Sequence, residues 1–258
     1  MKSNIPGFRS EFLCRIAPAL FFVASITAPV RADTADDTMA LPTQAVEVSH
    51  LHFLTGKKPD AIALLAPPPL PGSAEQAADM DEVRATWHAA DSNDIAIAYS
   101  QKKFTVFNFT PAVGAFFLSN NLPKTAAFFD RVQTDAAAVT DNAKDFYKRP
   151  RPYTTDPSLA NGKLEKSFSY PSGHSTESMV LALVLADLFP DKHDAIIAEA
   201  RSIGWHRVQI ARHYPTDIYA GRVLAQAIVK EFKNSAAFQH DFAEAKAEIA
   251  AARTAASN

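Results

Sequence analysis

Apolar residues recur at helical spacing through the second half of the chain. After Pro123 they fall three or four residues apart, at Phe128, Val132, Ala136, Val139, Ala143 and Phe146. This spacing predicts a helix with one buried stripe, ending near Arg149, just before Pro150. Residues 179–188 are apolar on nearly every face and are closed by Pro190, which predicts a central helix that other elements enclose.

Two more helices are predicted downstream, the second from about Thr216 through Phe232. The first has inward positions at Ile196, Ala200, Ile203, Arg207 and Ile210. Residues 104–109 are the best strand candidate, although they could equally begin a helix. Residues 64–71, LLAPPPLP, predict a stiff, non-helical surface segment, because proline lacks an amide donor. Together these patterns predict an all-α, single-domain helical bundle around a buried central helix, without an internal repeat.

The first 32 residues have the order of a secretory signal peptide. Basic residues precede an apolar run at 16–30, and Val30-Arg31-Ala32 offers small residues for cleavage after Ala32. A membrane anchor is the alternative, but the run is short for a bilayer span and contains Pro18 and Pro29. We therefore expect a signal peptide at 1–32, a flexible segment at 33–45 and the helical domain at 46–258. This organisation predicts a periplasmic or secreted protein without stable membrane insertion after cleavage.

Composition narrows the function classes. Of 258 residues, 47% are hydrophobic and 21% are charged, as in an ordinary globular domain. Without residues 1–32 the chain carries 22 Lys and Arg against 27 Asp and Glu, a formal charge of −5 that argues against nucleic acid as a partner. The sole cysteine, Cys14, lies within the predicted signal peptide, so no disulfide is expected in the exported chain. The sequence does not indicate an oligomeric state.

Arg207 occupies an inward position of its predicted helix. Burial of an unpaired guanidinium is costly, so Arg207 should face either a carboxylate or an anionic ligand. The segment Pro171-Ser172-Gly173-His174 precedes the central helix, where backbone amides and the helix dipole favour an anion. Ser172 and Gly173 could instead be only a helix cap and a turn residue.

Two further clusters carry candidate chemistry. Lys144 and Arg151 flank a charged stretch that is broken by Pro150, and such a run is often a solvated helix end. His213 and Asp217 bracket the turn between the last two predicted helices. A carboxylate at that spacing can accept the imidazole Nδ1 proton and leave Nε2 free to attack, although a histidine satisfied by a helix cap is the alternative.

These clusters, in this order and spacing, resemble the three-part signature of the phosphatidic acid phosphatase type 2 superfamily. The signature reads Lys, six residues, Arg-Pro; then Pro-Ser-Gly-His; then Ser-Arg, five residues, His, three residues, Asp. Residues 144–152, 171–174 and 207–217 fit it, and its spacing selects Arg151 rather than Arg149. His206 stands where the signature has a serine. It is either a surface replacement or a residue that contacts the neighbourhood of His213. The proline-rich segment also resembles one in bacterial class A nonspecific acid phosphatases.

The resemblance implies hydrolysis of small phosphate monoesters through a phosphohistidine, with no cofactor and no metal. His213 would be the nucleophile, Asp217 its orienting carboxylate and His174 the proton donor. The phosphate would be held by Lys144, Arg151, Ser172, Gly173 and Arg207. Vanadate is implied as an inhibitor. The alternatives are a soluble lipid or diphosphate phosphatase, a vanadium haloperoxidase and a non-catalytic periplasmic anion-binding protein. A metal hydrolase is a further alternative, with His206, His213, Asp217 and His174 as candidate ligands.

Overall fold

A computed structural model describes residues 51–256, and over that range the chain forms helices and no strand. The predicted signal peptide at 1–32 and the flexible segment at 33–45 lie outside the described residues. The all-α prediction is confirmed, and 104–109 contains a 3₁₀ turn, Val106–Phe109, rather than a strand. The α-helices are, in chain order, α1 (Ala61–Leu64), α2 (Ala74–Ala89), α3 (Ser92–Ser100), α4 (Thr110–Val113), α5 (Pro123–Tyr147), α6 (Pro152–Thr155), α7 (Gly173–Leu188), α8 (His193–Gln209), α9 (Pro215–Phe232) and α10 (Ala236–Ala256).

Helix α7 is the centre of the bundle. It packs against α5, α8 and α9, and apolar residues on all its faces are buried, as the uninterrupted apolar run predicts. Ser172 caps its first turn by accepting a hydrogen bond from the amide of Ser175 at 3.3 Å. In the described part of the chain, no helix combines the length and apolar character needed to cross a bilayer. The enclosure of α7 fixes its N-terminus against α9, which brings two of the three sequence clusters together.

Helix α5 confirms the predicted stripe except in its last turn. It ends where Lys148 adopts the left-handed conformation, φ 48°. Phe146, predicted to lie on the buried stripe, is 58% exposed, so that prediction is wrong. After Ala143 the inward position advances by four residues rather than three, and Tyr147 packs against the core in its place. The Tyr147 hydroxyl donates to the Leu65 carbonyl at 2.9 Å, a hydrogen bond that a phenylalanine could not form.

A tight turn joins α8 to α9. The carbonyl of Arg207 accepts hydrogen bonds from the amides of Arg212, at 2.8 Å, and His213, at 3.2 Å. Ala211 takes a positive φ of 52°, which ends the α-helix and reverses the chain. The turn therefore places Arg207 and His213 side by side. The inward stripe of α8 is confirmed, including Arg207 at 2% exposure.

The proline-rich segment runs along the surface, with Leu70 exposed. It is non-helical as predicted, except that Leu64 is the last residue of α1. Two tyrosine hydroxyls hold it: Tyr147 contacts Leu65, and Tyr170 donates to the Ala66 carbonyl at 2.5 Å. Because Tyr170 directly precedes the segment 171–174, these bonds tie the proline-rich segment to the α7 N-terminus.

Candidate active site

His213 lies in the α8–α9 turn and is almost fully buried. Arg151 approaches its Nε2 from Nη1 at 3.2 Å, and a guanidinium can only donate, so Nε2 carries a lone pair. The proton therefore resides on Nδ1, which faces Asp217 Oδ2 at 3.3 Å. Burial and the Arg151 charge lower the pKa of His213 to about 4, while the hydrogen bond with Asp217 acts in the opposite direction. The imidazole is thus neutral and oriented well below neutral pH.

Asp217 is completely buried and accepts bonds on both oxygens. Its Oδ2 receives the hydroxyl of Ser169 at 2.5 Å and the amide of Tyr214 at 2.9 Å, besides His213. Burial would raise the pKa of Asp217, but the hydrogen bond from His213 and the charge of Arg149 outweigh it and hold the pKa below the usual value. Asp217 is therefore an ionised, fixed acceptor for the Nδ1 proton.

Arg149 is not the bystander that the signature spacing indicates. It is buried and donates from Nη1 to Asp217 Oδ1 at 2.6 Å and from Nη2 to Asp79 Oδ2 at 2.6 Å. Thr216 and Gln76 accept from the same guanidinium, and its carbon lies 3.9 Å from the ring centroid of Tyr214. Arg149 thus holds Oδ1 of Asp217, the carboxylate oxygen that does not face His213. No sequence signal other than its duplicate Arg-Pro context distinguished it.

Arg151 is held from several sides. Its Nε donates to the Ser167 carbonyl at 2.8 Å and its Nη1 to the Arg212 carbonyl at 2.9 Å. Glu165 pairs with Nη2 at 2.6 Å, and this carboxylate was not among the residues predicted from sequence. Glu165 lies near enough to influence both histidines, because it acts on the pKa of His213 and of His174. These contacts fix the Arg151 guanidinium with its Nη1 beside the His213 Nε2.

Arg207 is buried without a carboxylate partner among the described residues. One Nη2 bond goes to the Ala98 carbonyl, while its Nε has no hydrogen-bond partner. Burial lowers the pKa of Arg207 to about 10, and Glu165 acts in the opposite direction from a distance. Of the two possibilities left open by sequence, a carboxylate partner or an anionic ligand, the geometry favours the ligand.

The N-terminus of α7 faces the same space. The amide of Ser172 donates to the Asp217 carbonyl at 3.0 Å, which joins this helix start to the His213 turn. His174 Nε2 is buried without a hydrogen-bond partner. Burial, with the charges of Arg207 and His213, lowers the pKa of His174 to about 3. An anion placed here would offset those cations and restore the proton on His174.

Lys144 reaches this helix start despite the break at Pro150. Its Nζ lies 3.2 Å from the position that a Cβ on Gly173 would occupy, so a side chain there would crowd the amine. It also pairs with Asp141 at 3.3 Å and is buried. The structure therefore brings all eight sequence-predicted residues to one site around the α7 N-terminus and the His213 turn.

His206 makes its side-chain contacts away from His213. Its Nδ1 is 2.6 Å from the Gln101 side-chain oxygen, and its Nε2 is 3.1 Å from the Ser202 hydroxyl. His206 lies on α8 and is half-buried, and its ring joins that helix to Gln101, the residue that follows α3. Over residues 51–256, no group of three or more His, Cys, Asp or Glu residues has an arrangement suited to a metal ion.

The family model of the PAP2 superfamily matches residues 133–239, which include every residue of the three clusters. Over that range the chain is similar to this superfamily. It is 28% identical to an acid phosphatase from Zymomonas mobilis, over 95% of this chain and 92% of the relative. It is 29% identical to a non-specific acid phosphatase of Providencia stuartii, covering 74% of this chain and 81% of that one, and 30% identical to one of Salmonella typhimurium, covering 55% and 59%.

Proposed function

We propose that the chain is an exported acid phosphatase that hydrolyses phosphate monoesters through a phosphohistidine on His213. The match to the PAP2 superfamily model and the similarity to acid phosphatases support the phosphatase class. The observation that carries the proposal is Arg207, a buried cation whose Nε has no hydrogen-bond partner and which forms no ion pair with a carboxylate in the described chain. A phosphoryl dianion would satisfy it together with the unpartnered Nε2 of His174.

The phosphoryl oxygens would be bound by three cations, Lys144, Arg151 and Arg207. The amides at the start of α7 add donors and a favourable helix dipole. These groups would stabilise the charge that spreads over the equatorial oxygens in an in-line displacement, which is the main requirement of phosphoryl transfer. Each cation is already held by backbone or carboxylate contacts, so little reorganisation is needed when the substrate binds.

In the first step, His213 Nε2 attacks phosphorus and the ester P–O bond breaks. Asp217 accepts the Nδ1 hydrogen bond and stabilises the positive imidazole, while His174 gives its proton to the leaving oxygen. In the second step, His174 takes a proton from water, the water oxygen attacks phosphorus, and the P–N bond breaks. Inorganic phosphate is released, and both histidines return to their starting states.

The lowered pKa values suit this mechanism to acidic conditions. Because the pKa of His213 is about 4, its Nε2 lone pair persists at the mildly acidic pH where most free histidines are protonated. His174 needs a proton, and the bound dianion would raise its pKa from about 3 by offsetting Arg207. The nucleophile and the donor therefore hold opposite protonation states only after substrate binds. Export rests on residues 1–32, and N-terminal sequencing of the mature protein tests it.

The decisive experiment compares His213→Ala with His193→Ala, a matched control at an exposed histidine of α8. Each protein is mixed with ³²P-labelled phenyl phosphate, quenched in alkali and examined for label on the chain, since phosphohistidine survives alkali and is lost in acid. We expect label and turnover in the wild type and in His193→Ala, and neither in a folded His213→Ala. Label retained by the folded His213→Ala protein would contradict the assignment.

A further inference from the structure

A small cavity of about 120 Å³ opens beside the proposed phosphate site. The end of α3 forms one wall and residues 161–165 form the other. The cavity is lined mainly by Tyr99, Lys102, Lys163, Glu165, Arg207 and Arg212. Four of these side chains are cationic and one is acidic, whereas the whole chain has a formal charge of −2. This concentration of positive charge is therefore a local feature rather than a property of the general surface.

The 161–165 wall is held firmly. Gly162 has a φ of 52°, and a Cβ at that position would lie 2.5 Å from the Tyr99 hydroxyl, so the turn packs directly on α3. The same hydroxyl donates to the Asn161 side chain. Arg212 donates to the Asn161 carbonyl at 2.5 Å and to the Lys163 carbonyl at 3.5 Å. Lys163 is thus an exposed side chain on an anchored turn.

The opposite wall lies next to the proposed proton donor. The backbone of Lys102 forms a hydrogen bond with His174, and the neighbouring ring of Phe104 lies 5.5 Å from the His174 ring. If His174 protonates the leaving oxygen, the rest of the leaving group must extend past it. Lys102 and Arg207 are therefore on the side through which the leaving group departs.

Lys102 and Lys163 add positive charge beyond what binding of the phosphoryl group requires. Lys144, Arg151 and Arg207 already surround the proposed dianion, and Glu165 is paired with Arg151. The side chains of Lys102 and Lys163 are exposed, and neither forms an ion pair with a residue in the described range. Two fixed walls that each present a lysine toward one cavity would suit a second negative group on the substrate.

We infer that Lys102 and Lys163 form a second anion subsite, so that the enzyme prefers phosphate esters whose leaving group itself carries a negative charge, as a carboxylate or a further phosphate. This inference rests on the proposed function, because it takes the side of His174 as the exit of the leaving group. It assigns specificity to lysines outside the superfamily signature, and it predicts that the preference weakens as salt screens the exposed charges.

The test uses pairs of substrates with nearly the same shape. The charged substrates are 4-carboxyphenyl phosphate and 4-(phosphonomethyl)phenyl phosphate, and the neutral reference is 4-carbamoylphenyl phosphate. The value of kcat/KM for each charged ester, divided by that for the reference, is measured at about pH 6, where a carboxylate is ionised. The proteins are the wild type, Lys102→Gln/Lys163→Gln, and Lys103→Gln/Lys192→Gln, a control that removes the same charge at exposed lysines outside the cavity.

We expect a ratio of about 10 for at least one charged ester in the wild type and in the control, since each exposed ion pair contributes roughly threefold. The ratio should fall toward 1 in Lys102→Gln/Lys163→Gln, and the ester with the larger ratio identifies the preferred anion. Ratios near 1 for both esters in the wild type, or an undiminished ratio in the cavity variant, would overturn the subsite. Failure of the proposed function would differ, because even 4-carbamoylphenyl phosphate would not be hydrolysed, and the subsite would fall with it.

Discussion

Replacement of Arg149 by methionine tests whether this residue holds the carboxylate of Asp217 in place. In the wild type, its guanidinium donates to Asp217 and Asp79, both at 2.6 Å, and to Thr216 and Gln76. Arg149 is only 4% exposed, and both carboxylates are buried as well. Methionine preserves much of the apolar volume, so the change removes the charge and the donors rather than the packing.

The expected loss of stability is large for a single substitution. Removal of one partner from a buried ion pair typically costs about 3–5 kcal/mol, because the remaining charge stays buried and uncompensated. Arg149→Met leaves two buried carboxylates, Asp217 and Asp79, without their cation. Asp217 keeps its hydrogen bonds from Ser169 and Tyr214, which limits the loss. We therefore expect about 4 kcal/mol, which corresponds to a fall in Tm of roughly 8–16 °C for a domain of this size.

The loss should also depend on pH. The pKa of Asp217 is held below its usual value of 3.8, in part by Arg149. A lowered carboxylate pKa contributes stability that is present above the unfolded-state value and is lost as pH falls through the folded-state value. Because Arg149→Met removes part of that contribution, the gap between wild type and variant should be widest near neutral pH and should narrow below about pH 4.

Urea unfolding at several pH values, followed by tryptophan fluorescence, measures both effects. Arg131→Met is the control, since Arg131 is 39% exposed and pairs with Asp241 at 2.8 Å, and a surface pair of this kind is worth up to about 1 kcal/mol. Asp79→Asn combined with Arg149→Met should recover part of the loss, because it removes one of the stranded charges. An Arg149→Met protein no less stable than Arg131→Met would refute the role assigned to Arg149.

Three further changes test other parts of the site and fold. His174→Ala should reduce kcat much less for p-nitrophenyl phosphate than for an alkyl phosphate, since only the poor leaving group needs a proton; equal losses in steady-state assays would argue against a donor role. Gly221→Ala places a Cβ 2.9 Å from the Ser172 carbonyl and should cost about 1–3 kcal/mol and lower kcat, whereas Gly56→Ala, with open space around it, should do neither; thermal unfolding and turnover measure this. Asp135→Ala removes the acceptor of three backbone amides at 2.7–3.1 Å and should destabilise the chain by about 2–4 kcal/mol; a Tm matching the wild type would show that water replaces the carboxylate.

Most of the candidate site residues were predicted from the combined three-part signature, because each local pattern alone also fits an ordinary structural role. Arg207 interrupts an apolar stripe, and this can be seen in the sequence alone. The extents of α5 and α9 were predictable because each helix has a regular apolar stripe and begins at a proline. The fold brings the eight candidate residues together, and their spacing, which matches the superfamily signature, is what allowed them to be predicted.

Other features depend on contacts between distant parts of the chain, and these carry no local signal. Arg149 meets Asp79 across 70 residues, and Asp79 lies on α2, which has no pronounced apolar stripe. Glu165 reaches Arg151 only because the intervening loop folds back. Phe146 was misplaced because an unbroken helical period was extended into a turn where the inward position moves to Tyr147. Sequence periodicity cannot locate such a shift.

The electrostatic state of the site bears on the proposed role of His174 as a proton donor. Cations around the α7 N-terminus and burial together suppress protonation of His174 and His213, so both rings prefer to be neutral before an anion arrives. A bound dianion would affect the protonation of the two histidines unequally. His213 already has Asp217 behind it and Arg151 in front, whereas His174 Nε2 has no partner among the described residues and lies beside Arg207. Substrate binding should therefore draw a proton mainly to His174, so the substrate itself would create the acid that its hydrolysis requires.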